Sequence, residues 1–182
     1  MSDDPGKVLE FWFSADTRPL WFRSTPEFDA RLREGFLDVW QAAARGELEH
    51  WGRTPEGALA LVIVLDQFPL NMFRGEAESF STEALSRGVA REAIDRGWDR
   101  DLDDAGKAFL YLPFMHSEAL EDQDRSVQLF RDAGLVDNLR WAEHHREIIR
   151  RFGRFPHRNV ALGRASTHEE EEWLQSSDAF QG

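Results

Sequence analysis

The stretch TPEGALALVIVLDQFP, residues 54–69, opens with a hydroxyl cap, a proline suited to the first helical position, and an acid beside the positive helix end. Those three residues start a helix. The run that follows is apolar nearly all round, so this helix, over about 55–68, belongs at the centre of a core. Pro69 lacks an N–H, and its ring clashes with the carbonyl four residues back, so the helix is expected to end or kink there. The carbonyls freed by that break lie among Asp66, Gln67, Asn71 and Arg74. The plainer reading is that these side chains satisfy the broken helix end. The functional reading is that they rim a pocket.

The same start signal recurs at Thr25-Pro26-Glu27, and Thr167-His168-Glu169-Glu170 has the spacing of a capping box. The chain contains no Asn-Gly or Asp-Gly hairpin turn and no sustained period-two alternation. The predicted fold class is therefore all-α. Further helices are expected over about 5–14, 26–45, 82–97, 103–120, 123–133, 137–152 and 168–176. Short connections favour antiparallel neighbours. Starts near 26, 55 and 82 recur at similar intervals, which reads as antiparallel helical hairpins stacked in a short superhelix; a plain bundle is the rival. No composition break divides the chain, so 1–182 is read as one domain.

With 22 Lys and Arg against 34 Asp and Glu, the net charge is −12. That balance argues against nucleic acid or an anionic membrane as the partner. The absence of cysteine excludes disulfides, thiolate catalysis and cysteine-ligated metal. The start, MSDDPGKVLEFWF, is acidic and lacks a signal-peptide layout. The apolar runs 58–65 and 109–115 fall far short of the roughly 20 residues of a membrane span. The expected location is the cytoplasm.

Two further constellations carry chemistry. In FLYLPFMHSE, residues 109–118, Pro113 interrupts an apolar helical pattern, and His116 shares the stripe of Phe109, Leu112 and Leu120, which points it inward near Glu118. In WAEHHREIIRRFG, residues 141–153, His145 shares the stripe of Trp141, Ile148 and Phe152, while His144 points toward Arg140, Glu147 and Arg151. An inward histidine is more often a satisfied core residue than a ligand. Gly153 suits a left-handed helix cap, and arginines in the last turn suit the negative helix end.

Segment 140–164 holds seven arginines against two glutamates, and the cap does not account for Arg154, His157, Arg158, Asn159 or Arg164. RFPHRN repeats the Phe-Pro turn and asparagine of QFPLN. Guanidinium forks suit carboxylates and phosphates. Their acceptors are either the chain's own Asp66, Glu118 or Glu143, or those of a ligand. The acidic run 169–172 reads as a solvated face.

VLEFWF, the Trp21-Phe22 pair, GALALVIVLDQFP, FRG, FLYLPFMHSE, RSVQLF, RFGRFPHRN and LGRAST, in that order, resemble a bacterial family of unknown function, number 924. The resemblance covers essentially the whole chain. It implies a fold similar to tetratricopeptide-repeat proteins, an all-α right-handed stack, and no established activity. By motif it carries over Asp66, Gln67, Asn71, Arg74, His116, Ser117, Glu118, His145, Arg154, His157, Arg158, Asn159 and Arg164. One departure is Leu70, which stands where the family pattern usually has arginine; if that arginine binds an anion, the contact is lost here.

Three functions remain in view. The first is a module binding a small anionic ligand or acidic peptide in a cleft lined by Arg, His and aromatic residues. The second is an enzyme using a His/Glu/Arg site on a small anionic substrate, metal-free or with a transition metal. The third is an internal Arg–carboxylate–His network that ties the fold together. No metal signature, glycine-rich phosphate loop or nucleophile elbow is present, so no cofactor is expected. Homo-oligomerisation is left open.

Overall fold

Pro5, Pro26 and Pro55 each open a helix behind a capping side chain. Asp4, Thr25 and Thr54 accept hydrogen bonds from the backbone N–H groups of Gly6, Phe28 and Gly57, respectively. A computed structural model describes residues 4–176 and Ala179. These first helices are α1 (Pro5–Trp12), α2 (Pro26–Ala44) and α3 (Pro55–Met72). After them come α4 (Glu83–Asp95), α5 (Asp104–Met115), α6 (Leu120–Asp132), α7 (Val136–Phe152) and α8 (His168–Leu174). Short 3-10 turns lie between them, and no strand occurs among the described residues. The fold is all-α. No helix among the described residues is long and apolar enough to cross a membrane.

The chain forms two compact units, Met1–Arg74 with Glu78–Pro113, and Gly75–Ala77 with Phe114–Gly182. In the first, α3 packs against α1, α2 and α4 and is buried at every position from Gly57 to Pro69. Gly57 is needed at its start, because a Cβ there would meet the Trp51 carbonyl oxygen at 2.2 Å. Fully buried Trp12 packs its ring 5.6 Å from Phe68 and 5.5 Å from Phe109. In the second unit α6 packs on α7. Ile148 and Ile149 of α7 meet Phe155 and Trp173 in a smaller core. Gly153 caps α7 with a φ of 71°, the left-handed conformation expected of it.

Two expectations are corrected. The first concerns the helix expected to end or kink at Pro69: α3 does not end there and runs on to Met72. The carbonyl of Leu65, four residues before the proline, takes a hydrogen bond of 2.6 Å from the Thr82 hydroxyl instead. Thr82 in turn accepts the indole N–H of Trp40 at 3.3 Å. The Asn71 amide donates to the Gln67 carbonyl at 2.9 Å, and Arg33 donates to the Met72 carbonyl at 2.9 Å. Side chains thus replace the backbone bond that proline removes.

The second concerns residues 116–119, expected within a helix reaching about 120. α5 stops at Met115, and α6 begins at Leu120. Gln123 donates to the carbonyls of Met115 and Ser117, both at 2.6 Å, and Ser117 donates to Asp122 at 2.7 Å. These bonds stabilise an open turn in place of a continuous helix. His116 is half-buried in that turn, and Leu120, 43% exposed, does not continue the inward stripe.

Thr82→Val should destabilise the protein by about 2 kcal/mol, because it strands a buried carbonyl. Pro69→Ala restores the backbone donor to Leu65, so Thr82→Val should cost less in that background. Denaturant unfolding of the four-member cycle measures the coupling, and additive losses would refute the replacement.

Candidate functional site

The turn that follows α7 is held by two arginine–carboxylate pairs. Arg154 reaches Glu170 through both arms of its fork, Nε to Oε1 at 2.7 Å and Nη2 to Oε2 at 2.8 Å, and also donates to the Ala165 carbonyl at 2.9 Å. Arg164 grips Glu118 in the same way at 2.8 and 2.9 Å, and donates to the Phe155 carbonyl at 3.1 Å. Asn159 joins the pairs: its Oδ1 accepts from Arg164 at 3.0 Å, and its Nδ2 donates to Glu170 at 3.3 Å. The Phe155 N–H donates to Glu118 at 2.8 Å.

Glu170 is only 2% exposed. The Arg154 hydrogen bonds outweigh burial and, with the Thr167 N–H, hold its carboxyl down at about 2. Burial pushes Glu118 up, but Arg164 and the Phe155 N–H together leave it below the usual carboxylate value. Of the internal acceptors considered for the arginines, Glu118 is used by Arg164. Glu170 was not among the expected acceptors, because it lies in a run of four glutamates that reads as a solvated face. The signal that sets it apart is the capping box: as the third helical residue behind Thr167, its carboxylate turns back toward the helix start.

Phe155 is the platform of a second group. Its fully buried ring lies 5.6 Å from the His145 ring and 5.5 Å from that of His157, with the Arg158 guanidinium carbon 4.7 Å from its centroid. Arg158, itself buried, donates to the His116 carbonyl at 2.9 Å. The Nδ1 of His145 donates to the Trp141 carbonyl at 2.8 Å, since that oxygen can only accept. Burial drives His145 down to about 3 against the pull of that carbonyl, and His116, His144 and His157 reinforce the drop. Burial also lowers His157 to about 4, helped by Arg158 and opposed by Glu118. The second unit therefore gathers His116, Glu118, His145, Arg154, His157, Arg158, Asn159 and Arg164.

The remaining expected residues belong to the first unit. Asp66, buried, accepts the Gln67 amide at 2.6 Å. Arg74 pairs with Asp29 at 3.0 Å and donates to Asn71 at 3.1 Å, and the Ser24 hydroxyl also donates to Asp29. Asp29 lies within α2, where the sequence offered no sign of a partner 45 residues away. No group of three His, Asp or Glu side chains among the described residues is placed to hold a metal ion.

A family model described as a bacterial protein of unknown function (DUF924) matches residues 8–178. A solved structure of a protein of unknown function from Agrobacterium tumefaciens, ATU0120, is similar, with 42% identity and a TM-score of 0.89. The match covers 94% of this chain and 96% of that one. No functionally curated protein matches.

Two measurements probe these groups. Arg154→Leu leaves the buried Glu170 charge without its partner and should lower the melting temperature by on the order of 10 °C. Arg151→Leu, which breaks an exposed pair with Glu169, should change it by no more than about 3 °C. The histidines make stability depend on pH. Unfolded imidazoles take up protons near 6.5, but His145 and His157 do so in the folded chain only at about 3 and about 4. Within that window the unfolded state binds more protons, so stability falls as pH drops below about 6.5. Glu170 contributes stability above its ordinary 4.5 that is lost only as pH falls toward about 2, so it does not produce that slope. Denaturation midpoints between pH about 7 and about 5 should decline in the native chain, and His145→Asn should flatten the decline.

Proposed function

The chain belongs to the bacterial family of unknown function DUF924, which carries no established activity, and we propose that it binds a small anionic molecule or the acidic group of a peptide at the imidazole cluster around Phe155. His116 and His157, both half-buried, form the reachable part of the cluster; His145 and Arg158 lie deeper. The observation that carries this reading is the crowding of three imidazoles beside Arg158, two of them held uncharged mainly by burial. An entering anion supplies the countercharge that burial denies them, so it is bound through N–H donors and favours their protonation.

In this reading Arg154, Glu170, Asn159, Arg164 and Glu118 do not touch the ligand. They hold the turn that presents His157 and Arg158. The reading takes the protein as soluble and cytoplasmic, without nucleic-acid or membrane partners, in keeping with its charge of −12. Catalysis by the same imidazoles is less favoured. A general acid or base works best with a pKa near the operating pH, and values of about 3 and about 4 are far from neutrality.

Titration calorimetry with phosphate, succinate, citrate and an N-acetylated aspartyl-glutamate dipeptide tests this. At least one anion should bind saturably and with proton uptake, read as a heat that varies with the buffer's ionisation enthalpy. Affinity should rise as pH falls. His157→Asn should weaken binding about tenfold or more while the fold persists by circular dichroism. Absence of saturable binding, or unchanged affinity in that variant, overturns the reading.

A further inference from the structure

We infer that the groove between α1 and α2, in the first unit, is a separate binding site for a small zwitterion of the α-amino-acid class. Lys7, Glu10 and Phe11 follow the i, i+3, i+4 spacing that places side chains on one face of α1, and Ser14 lies just beyond the helix end. They line a cavity of about 450 Å³, a size that suits a small molecule. Arg31 of α2 crosses it, with its guanidinium carbon 5.4 Å from the centroids of both Phe11 and Phe28. Those two rings stack at 6.1 Å with a 9° angle between their planes, so the cation rests on an ordered apolar surface. Asp16 and Thr17 complete the lining.

Two cations and two anions therefore face one groove without neutralising each other. Lys7, Arg31, Glu10 and Asp16 enter no ion pair among the described residues. Elsewhere in the chain Arg45, Arg96, Arg131 and Arg146 each find a carboxylate within 4 Å, so charges here readily pair where they can reach. Charges of both signs held apart around a cavity suit a ligand that itself carries both. Its carboxylate would meet Lys7 and the Arg31 fork, its ammonium Glu10 and Asp16, and its apolar side chain the Phe11 ring. A ligand of one sign would meet two like charges.

Two hydroxyls fit the same use. Thr17 is fully buried, and its Oγ1 has no hydrogen-bond partner among the described residues. Buried polar groups are ordinarily paired, so this one is short of a partner beside the groove. Ser14 accepts the Thr17 N–H at 3.2 Å, which leaves its own proton to donate.

Ligand-observed NMR of the full chain with free leucine, methionine and phenylalanine tests the site. Each is compared with its N-acetyl and its amide derivative, which lack one of the two charges. Saturable binding is expected for at least one free amino acid, with weakening of about tenfold or more on either modification. Lys7→Met and Asp16→Asn, both at exposed positions, should abolish binding while leaving the melting temperature unchanged. His157→Asn, which alters only the proposed anion site, should leave it intact. The inference fails if no free amino acid binds, if the derivatives bind as well as the parent, or if both groove variants bind like the native chain.

Discussion

A polar group taken out of water needs a partner, and in this chain the partners come from side chains where the backbone cannot supply them. Pro69 removes one donor from the most buried helix, and Thr82 replaces it at the Leu65 carbonyl. The end of α5 and the turn after it leave two carbonyls that Gln123 satisfies with one amide. Glu170 places a carboxylate in a nearly closed environment, where Arg154, Asn159 and the Thr167 N–H surround it. Each case follows one rule: an unpaired buried group costs far more than a satisfied one contributes, so residue identity is tightly constrained at both ends of the bond.

That rule also sorts the charged residues by role. In the second unit two of the guanidiniums are occupied by Glu118 and Glu170, in geometry that favours holding a turn in place. That turn carries His157, whose protonation, like that of His145 in α7, is suppressed mainly by burial beside Phe155. The groove beside α1 is the reverse case. Its charges are exposed, enter no ion pair among the described residues, and line the groove in place of meeting each other.

Much of this was legible in the residues themselves. The Thr-Pro-Glu starts at 25–27 and 54–56, the apolar run 58–65 and Gly153 are local signals, set by capping, propensity and backbone conformation. They place the helices without reference to any distant contact. That α3 runs past Pro69, and that residues 116–119 leave the helix, share a common reason. Whether a proline breaks a helix depends on what else can bond the freed carbonyl, and Thr82 is seventeen residues away from Leu65. The capping box marks Glu170 in the sequence, but its burial and its pairing with Arg154, 16 residues away, arise only in the fold.

The sequence by itself determined that the chain is all-helical, where most helices begin, which helix is central, and which short motifs concentrate Arg, His and Phe. These follow from interactions within a few residues. Only the tertiary structure decided which arginine meets which carboxylate, that Pro69 stays inside its helix, and that the imidazoles around Phe155 lose their ordinary affinity for protons. Those outcomes depend on burial and on pairings such as Glu118 with Arg164, 46 residues apart, which chain folding creates and local spacing does not encode.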